Sequence, residues 1–294
     1  MKGVKVTAML IIVLIVLSCT DSKNLPDAYG QFEATEIILS SEVQGKLVKW
    51  DVEEGKFYPS QQLLGIIDTN SLFLKKQQLI AQQKQISAKY LNISTQIGIL
   101  QQQKANFESE KVRFEKLVSQ NAATLKQLDD IVYNIKVIEK QIENAKTQNN
   151  LITNELESII FQIKQLDDQL SKCYIRMPID GSIIEKYVEP FELALPNKPL
   201  LKIADLSQMF LRCYIDEEQL SQFKLGQNVK VFVDRKRGLK EYSGTVTWIS
   251  SQAEFSPKII QNRDERKNLV YAVKILVKND GSLKIGMLGD IIIK

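Results

Sequence analysis

The chain contains no histidine among its 294 residues. Histidine is the commonest general acid or base near neutral pH and the commonest zinc ligand, so its absence disfavours both kinds of chemistry. The three cysteines, Cys19, Cys173 and Cys213, are far apart and form no CxxC pair, which disfavours a zinc site and a disulfide framework. We therefore expect no enzyme, no metal and no cofactor, with Cys173 and Cys213 as small buried apolar residues.

The chain also lacks a strong excess of charge. It has 39 basic and 35 acidic residues, a net charge of +4, and no long basic run, so a nucleic-acid partner is not indicated. Hydrophobic residues make up 44% and charged residues 25% of the sequence, which is typical of one or two packed globular domains rather than of a disordered protein.

The N-terminus has the layout of an export signal. Two lysines lie within the first five residues, an apolar run follows from Val6 to Leu17, and small Ser18 precedes Cys19. Twelve helical residues cover about 18 Å, well short of the ~30 Å hydrocarbon layer, so a membrane-spanning helix is disfavoured. We expect residues 1–19 to be an export-signal segment that ends at Cys19 and is cleaved.

The tetrapeptide V-L-S-C, Val16 to Cys19, resembles a bacterial lipobox, although leucine is more common than valine at its first position. The resemblance implies that Cys19 is acylated and anchors the mature chain to a membrane. An ordinary secretory signal with an incidental cysteine is the alternative. Residues 20–34 are polar, with Pro26 and Gly30, and are predicted to form a tether.

Two segments of the chain match each other, Gly45 to Asp68 and Gly181 to Asp205, with one residue of slippage. Each half alternates apolar residues at strand period, with glycine or proline between the runs. One half cannot bury its apolar face alone, so the two are predicted to pack together although more than a hundred residues separate them. The pattern resembles a split lipoyl or biotinyl domain, formed here by residues 35–70 and 172–205.

The segment between the halves, residues 71–171, is predicted to be a coiled-coil hairpin. Apolar residues recur at intervals of seven on both sides of its midpoint, and no proline occurs from Ser60 to Met177. Two arms, roughly 72–118 and 124–171, would fold back on each other as an antiparallel hairpin about 70 Å long. Asn149 interrupts one apolar seam and is expected to fix the register.

The first arm has only one clean apolar seam, and glutamine is abundant between residues 77 and 103. Two interpretations stay open. This polar face is either solvated, since glutamine is a good helix former, or it packs against a neighbouring copy in a ring.

The predicted tip of the hairpin, about residues 113–124, carries Arg113, Leu117 and Thr124. The tip lies far from the folded halves, so its side chains are better suited to contacting another molecule than to packing a core. A cation, an apolar side chain and a hydroxyl form a small mixed patch that could dock in a groove between helices. Alternatively, these are only helix-end residues.

After Asp205 the pattern changes to short strands that predict a small β-barrel over residues 206–294. Asp216 and Gln219 have the spacing of a capping box, so a short helix is expected there. The predicted strands are Met209 to Ile215, Asn228 to Val233, Tyr242 to Ile249, Leu269 to Val277 and Asp290 to Ile293. Turns are expected at residues 236–238 and 279–281.

Together these features resemble the periplasmic adaptor proteins, also called membrane fusion proteins or the HlyD family. Many members carry an R-x3-L-x6-S motif at the hairpin tip, which Arg113 and Leu117 match, with Thr124 in place of serine. The resemblance implies docking of these residues to a TolC-like outer-membrane channel and assembly into a ring of about six copies. It also implies a location in the periplasm of a two-membrane bacterium, with the lipid of Cys19 in the inner membrane.

The inner-membrane partner implied by the resemblance is an ATP-binding-cassette (ABC) exporter, with its permease and ATPase. Residues 253–275 look most like adaptors of that type, and little sequence remains for the membrane-proximal domain of proton-driven pump adaptors. The overall expectation is a multi-domain α+β protein, a non-enzymatic adaptor of a tripartite efflux or secretion system.

Three alternatives to this adaptor stay open. The first is the adaptor of an RND-type proton-driven multidrug pump. The second is a structural coiled-coil lipoprotein without a transport role. The third is an acyl-carrier component, which the absence of a modifiable lysine motif at a lipoyl hairpin disfavours.

Overall fold

A computed structural model describes residues 27–236, 238–255 and 269–293 of the chain. The described part contains three helices: α1 (Asn70–Ser119), α2 (Leu125–Lys172) and α3 (Glu217–Leu220). Its strands are β1 (Ala28–Glu33), β2 (Glu36–Ser40), β3 (Gly45–Trp50), β4 (Phe57–Tyr58), β5 (Leu63–Ile67), β6 (Tyr174–Arg176), β7 (Gly181–Lys186), β8 (Leu193–Ala194), β9 (Pro199–Ala204), β10 (Gln208–Ile215), β11 (Asn228–Arg235), β12 (Gly238–Ile249), β13 (Glu254–Phe255), β14 (Leu269–Lys278) and β15 (Leu288–Ile292). The expected signal peptide and Cys19 lie outside the described residues.

Strands β2 to β9 form two four-stranded sheets, in the orders β2-β9-β7-β4 and β6-β5-β3-β8. Each sheet combines strands from before and after the long helices. Exchanging β2 with β6, β3 with β7, β4 with β8 and β5 with β9 converts one strand order into the other. The internal repeat in the sequence is therefore an approximate twofold repeat of structure, and neither half forms a complete sheet alone.

The backbone repeats as well as the strand order. Gly55 and Phe191 occupy matching positions of the two halves and have positive φ angles of 78° and 72°, and Gln61 and Asn197 match at 65° and 64°. Apolar side chains from both halves fill one core between the sheets, including Leu47, Leu64, Ile67, Ile183, Leu200, Leu201 and Ile203, each at most 1% exposed. The burial of this shared core explains why the halves associate across the intervening helices.

Helices α1 and α2 pair in antiparallel fashion. Lys76 lies 2.6 Å from Asp167, and Lys104 lies 2.9 Å from Glu139. Between these ion pairs the Asn149 amide donates to the Ser94 hydroxyl at 3.3 Å. In each of the three pairs, the two residues are equally far along the chain from the turn between the helices. The two helices therefore keep one register along their whole length. Leu100, Ile138, Ile142 and Ala145 form a buried cluster within the seam.

The second β unit is a closed barrel of six antiparallel strands in the order β10-β1-β15-β11-β12-β14, with β14 pairing back to β10. Its interior is filled by side chains such as Met209, Leu211, Val231, Ile275 and Ile291, each fully buried. Strand β13 adds to β14 at one edge. Closure leaves the six barrel strands without a free edge.

The prediction of a tether over residues 20–34 is wrong for residues 28–33. Residues Ala28–Glu33 form β1, which pairs with β10 on one side and with β15 on the other. Phe32 is only 1% exposed in the barrel core, and this burial stabilises the segment as a strand. The barrel therefore includes a strand from before the split domain and is not confined to residues 206–294.

Within the described residues, no helix is both long and apolar enough to cross a membrane. Each of the two long helices exposes charged and glutamine side chains along its surface.

The strand assignment of β1 predicts a large effect of Phe32→Ala. Removal of a fully buried aromatic side chain costs about 3–5 kcal/mol of unfolding free energy, because it leaves a cavity. Chemical unfolding followed by circular dichroism measures this loss. Phe57→Ala serves as the control, because Phe57 is 60% exposed and its truncation should change stability little. Equal, small effects of both substitutions would contradict the assignment.

Candidate docking site at the hairpin tip

The tip of the hairpin is the turn between Ser119 and Leu125. Helices of 50 and 48 residues lead to it from the sheets, which places it about 70 Å from their base at 1.5 Å rise per residue. The turn is far from both β units, so its side chains add nothing to the two β cores.

The first helix ends in a hydrogen-bonded cap. The Ala122 N–H donates to the Leu117 carbonyl at 2.8 Å, and the Asn121 N–H donates to the Val118 carbonyl at 3.0 Å. These two bonds define a Schellman motif, which requires a left-handed residue after the cap. Asn121, with φ of 60°, supplies it. The chain therefore reverses in a fixed conformation directly after Leu117.

The second helix begins with a capping box, in which Thr124 is the N-cap residue. Its hydroxyl accepts from the Gln127 N–H at 3.4 Å, and the Gln127 side-chain oxygen accepts from the Thr124 N–H at 2.9 Å. The same oxygen lies 3.0 Å from the Thr124 hydroxyl. The hydroxyl predicted to meet a partner is thus already engaged in stabilising the helix start, which leaves the methyl group of Thr124 for contact.

Arg113 points into solvent one helical turn before Leu117. Its side chain is 69% exposed, lies 3.6 Å from Glu110, and has its guanidinium 5.8 Å from the ring centroid of Phe114. An exposed ion pair of this kind contributes little energy, so the cation can exchange Glu110 for another carboxylate at small cost. Arg113 and Leu117 are four residues apart and share one face of the helix.

Apolar side chains at the tip extend beyond the predicted motif. Leu117 is half-buried, whereas Leu125, the first residue of α2, is 69% exposed. Val112 is 54% exposed on α1. Leu125 is not part of the predicted motif. The T-x-x-Q spacing from Thr124 to Gln127 would have placed Leu125 at the first helical position, outside the apolar seams.

The described part of the chain shows neither a candidate metal cluster nor an activated thiol. No group of three or more potential metal-ligating side chains occurs there. Burial raises the pKa of the Cys213 thiol to about 12 and also raises that of Cys173, so neither thiol forms a reactive thiolate near neutral pH.

Curated relatives of the chain are membrane proteins. A UPF0194 membrane protein of Citrobacter koseri is 29% identical over 289 residues, which cover 88% of this chain and 86% of the relative. The UPF0194 membrane protein YbhG of Salmonella gallinarum is 32% identical over 111 residues, which cover 37% of this chain but only 33% of its own length. No protein-family model matches the chain.

Solved structures share the fold. MacA from Actinobacillus actinomycetemcomitans superposes with a TM-score of 0.66 at 20% identity, covering 91% of this chain and 78% of that one. The membrane fusion protein Spr0693 from Streptococcus pneumoniae R6 superposes with a TM-score of 0.51 at 15% identity, covering 90% and 97%. The resemblance to the membrane fusion proteins is thereby confirmed, at the level of the fold.

The capping role of Thr124 predicts a specific pattern of stability. Thr124→Ala should lower the unfolding free energy by about 1 kcal/mol, because the Gln127 N–H loses its acceptor, whereas Thr124→Ser should retain most of the stability. Thermal unfolding monitored at 222 nm compares the two. If Thr124→Ala and Thr124→Ser are equally stable, the capping interaction contributes nothing measurable.

Proposed function

We propose that this chain, which has the fold of the membrane fusion proteins, is a periplasmic adaptor subunit of a tripartite efflux or secretion system. It links an inner-membrane exporter of the ABC type to a TolC-like outer-membrane channel. The chain itself performs no reaction. Its role is to bridge two membrane proteins and, together with other copies of the chain, to enclose a conduit between them.

The paired helices α1 and α2 are the observation that carries this proposal. They are held in one register by contacts distributed along their length, and they end in a fixed, exposed turn about 70 Å from the sheets. A helix pair of this length has no use in packing a domain of this size. A rigid arm with a small mixed patch at its end suits contact with a remote partner.

Arg113, Leu117 and Thr124 are proposed as the channel-docking residues, together with Leu125. Leu117 and Leu125 flank the turn and provide apolar contact, while Arg113 provides a cation for a carboxylate on the partner. Thr124 contributes through its methyl group and by fixing the start of α2, since its hydroxyl is engaged by Gln127.

The two four-stranded sheets are proposed to be a split lipoyl-like domain from which the hairpin projects. Acyl carriers of that fold display a modified lysine at a tight turn between their halves, and here the long helices replace that turn. We therefore propose that this domain holds the bases of the two long helices and does not carry an acyl group.

The ABC type of the partner is supported by the sequence resemblance of residues 253–275, most of which lie outside the described residues. The lipid anchor is supported by the lipobox-like Val16 to Cys19, which also lie outside them. With β1 inside the barrel, Cys19 stands nine residues before the first strand, so the proposed tether is shorter than the sequence suggested.

Site-specific photocrosslinking in cells tests the docking proposal. A photoreactive residue at Leu125 is compared with one at Phe161, which is similarly exposed, at 66%, on the shaft of the hairpin. Covalent adducts are purified and identified by mass spectrometry. Capture of an outer-membrane channel from position 125 but not from 161 supports docking through the tip. If both positions capture only copies of the chain itself, a structural spacer lipoprotein becomes the better description.

Charge placed at the tip should abolish transport. Leu117→Asp replaces an apolar contact of the docking patch by a carboxylate that loses its water on docking and competes with the channel for the nearby Arg113 cation, so export should fall at least tenfold. Because an acidic residue near the C-terminus of α1 also opposes the helix dipole, Leu125→Asp provides a second variant at a helix start, where an acidic side chain is favourable. Phe161→Asp is the control. Normal export by both tip variants, at normal abundance, would refute the assignment.

Replacement of the proposed lipid-bearing residue should release the protein from the membrane. Cys19→Ser removes the thiol that an acyl transfer requires, so the chain is expected in the soluble periplasmic fraction. Intact-protein mass spectrometry of the wild type should detect the added acyl mass. An unmodified wild-type chain would favour an ordinary secretory signal.

A further inference from the structure

The seam between α1 and α2 has a gap halfway along the hairpin. On α2, side chains are buried at the seam up to Ala145 and then not again until Ile159. On α1, no side chain between Ile86 and Leu100 is buried. At about 1.5 Å per residue, each of these intervals is about 20 Å long. We call this part of the hairpin the midpoint segment: residues 87–99 of α1 and 146–158 of α2.

The two intervals face each other across the seam, because the Asn149 amide donates to the Ser94 hydroxyl at 3.3 Å. The remaining amide atom, Asn149 Oδ1, is buried and has no hydrogen-bond partner in the described part of the chain. The ion pairs between the helices, at 2.6 and 2.9 Å, lie on either side of the segment, and the described residues form none within it. The helices are therefore held together least strongly at the midpoint segment.

The midpoint segment is also poor in residues that favour a helix. Asparagine, serine and threonine hydrogen-bond to nearby backbone in other conformations, and glycine has the most conformational freedom to lose. Residues of these four types occupy four of the seven positions 92–98 and five of the eight positions 147–154: Asn92, Ser94, Thr95, Gly98, Thr147, Asn149, Asn150, Thr153 and Asn154. Both helices therefore have low intrinsic stability at the level where the seam has its gap.

Side-chain contacts in the midpoint segment weaken the helices further. The hydroxyls of Thr95, Thr147 and Thr153 each donate to the carbonyl four residues earlier, at 2.9, 3.0 and 3.0 Å. Bonds of this kind slightly destabilise a helix and often bend it. A Cβ at Gly98 would meet no neighbouring group within 4 Å, so no close contact requires glycine at this position. Glycine there lowers helix stability without a compensating gain in packing.

The base of the hairpin, in contrast, is fixed to the sheets. Leu72 packs against the core between the sheets, and Lys172 lies 3.5 Å from Glu42 of the loop after β2. The Ile67 N–H donates to the Cys173 carbonyl at 2.9 Å. The base is therefore held by burial, charge and backbone pairing together, and the least constrained level of the hairpin lies halfway along it.

We propose that the hairpin bends at the midpoint segment, where both helices open locally, and that it consists of two stiffer halves joined there. The contact of Asn149 with Ser94 keeps the register while the halves tilt, because only one register satisfies it. A bend at this level moves the tip while the sheets and the base stay fixed. The rigid arm of the proposed function then becomes two rigid parts, but the inference does not depend on what the tip binds.

Hydrogen–deuterium exchange of the full chain, purified in detergent, tests local opening. Backbone amides of residues 92–98 and 147–154 should exchange at least tenfold faster than those of residues 135–142, where the seam is buried. Gly98→Ala raises helix stability and Asn149→Ile fills the seam, so each should slow exchange at the midpoint segment. Equal exchange in the three ranges, or midpoint exchange that neither variant slows, would overturn the proposal.

Thr95→Ala and Ser109→Ala form a matched pair. Each removes a hydroxyl that donates to the carbonyl four residues earlier, at 2.9 and 3.0 Å, and each raises helix propensity, but only Thr95 lies in the midpoint segment. Thr95→Ala should slow exchange of residues 92–98, whereas Ser109→Ala should leave it unchanged. If both slow it equally, the weakness belongs to the whole of α1 and the proposal fails.

Distances between spin labels, measured by pulsed electron paramagnetic resonance in a Cys19→Ser background, test the bend itself. Labels on Lys84→Cys and Gln102→Cys span the midpoint segment, and labels on Lys126→Cys and Asn144→Cys span an equal number of residues in the tip half, all at exposed positions. The first distance distribution should be at least twice as wide as the second and should narrow in the two midpoint variants. Equal widths would overturn the bend but not docking at the tip, because neither measurement involves a channel.

Discussion

The arrangement depends on the pairing of β5 with β6. These strands lie directly before α1 and directly after α2, and their register places Ile66 opposite Tyr174. The Ile67 N–H donates to the Cys173 carbonyl at 2.9 Å, and these residues lie three residues before α1 and directly after α2. This pairing brings the two helix bases side by side, so the helices leave the sheets together and their seams meet in register. Without it, the helices would have no common origin and the tip no defined position.

Seam packing, rather than charge, then holds the hairpin along its length. The inter-helical ion pairs of Lys76 and Lys104 are partly exposed, and exposed pairs contribute roughly 0–1 kcal/mol each. Burial of Ile86, Leu100, Ile138 and Ala145 supplies the larger, non-directional contribution. Asn149 and Ser94 add a polar contact that only one register satisfies, and the remaining buried Asn149 oxygen has no partner in the described part of the chain. That cost to stability is consistent with a role in fixing the register.

The sequence predicted the parts of the fold whose signals are periodic or repeated. Heptad spacing located α1 and α2, and the match between residues 45–68 and 181–205 located the paired halves. Strand β1 was missed because A-Y-G-Q-F-E is short, polar and close to Pro26, and because its partners β10 and β15 lie about 180 and 260 residues away, beyond any local pattern. The tip residues remain a prediction from a motif, and the engagement of the Thr124 hydroxyl depends on the geometry of the turn, which the motif does not contain.

Including β1 in the barrel changes how the barrel is connected to the sheets. Strand β1 is hydrogen-bonded on both sides and continues after two residues into β2 of the paired sheets. The return connection from β9 to β10 lies beside it, and the Asn279 amide donates to the Leu206 carbonyl at 2.8 Å within that connection. Two short covalent links and this hydrogen bond join the barrel to the sheets. Both connections between the barrel and the sheets are therefore short, and each one begins and ends in a paired strand.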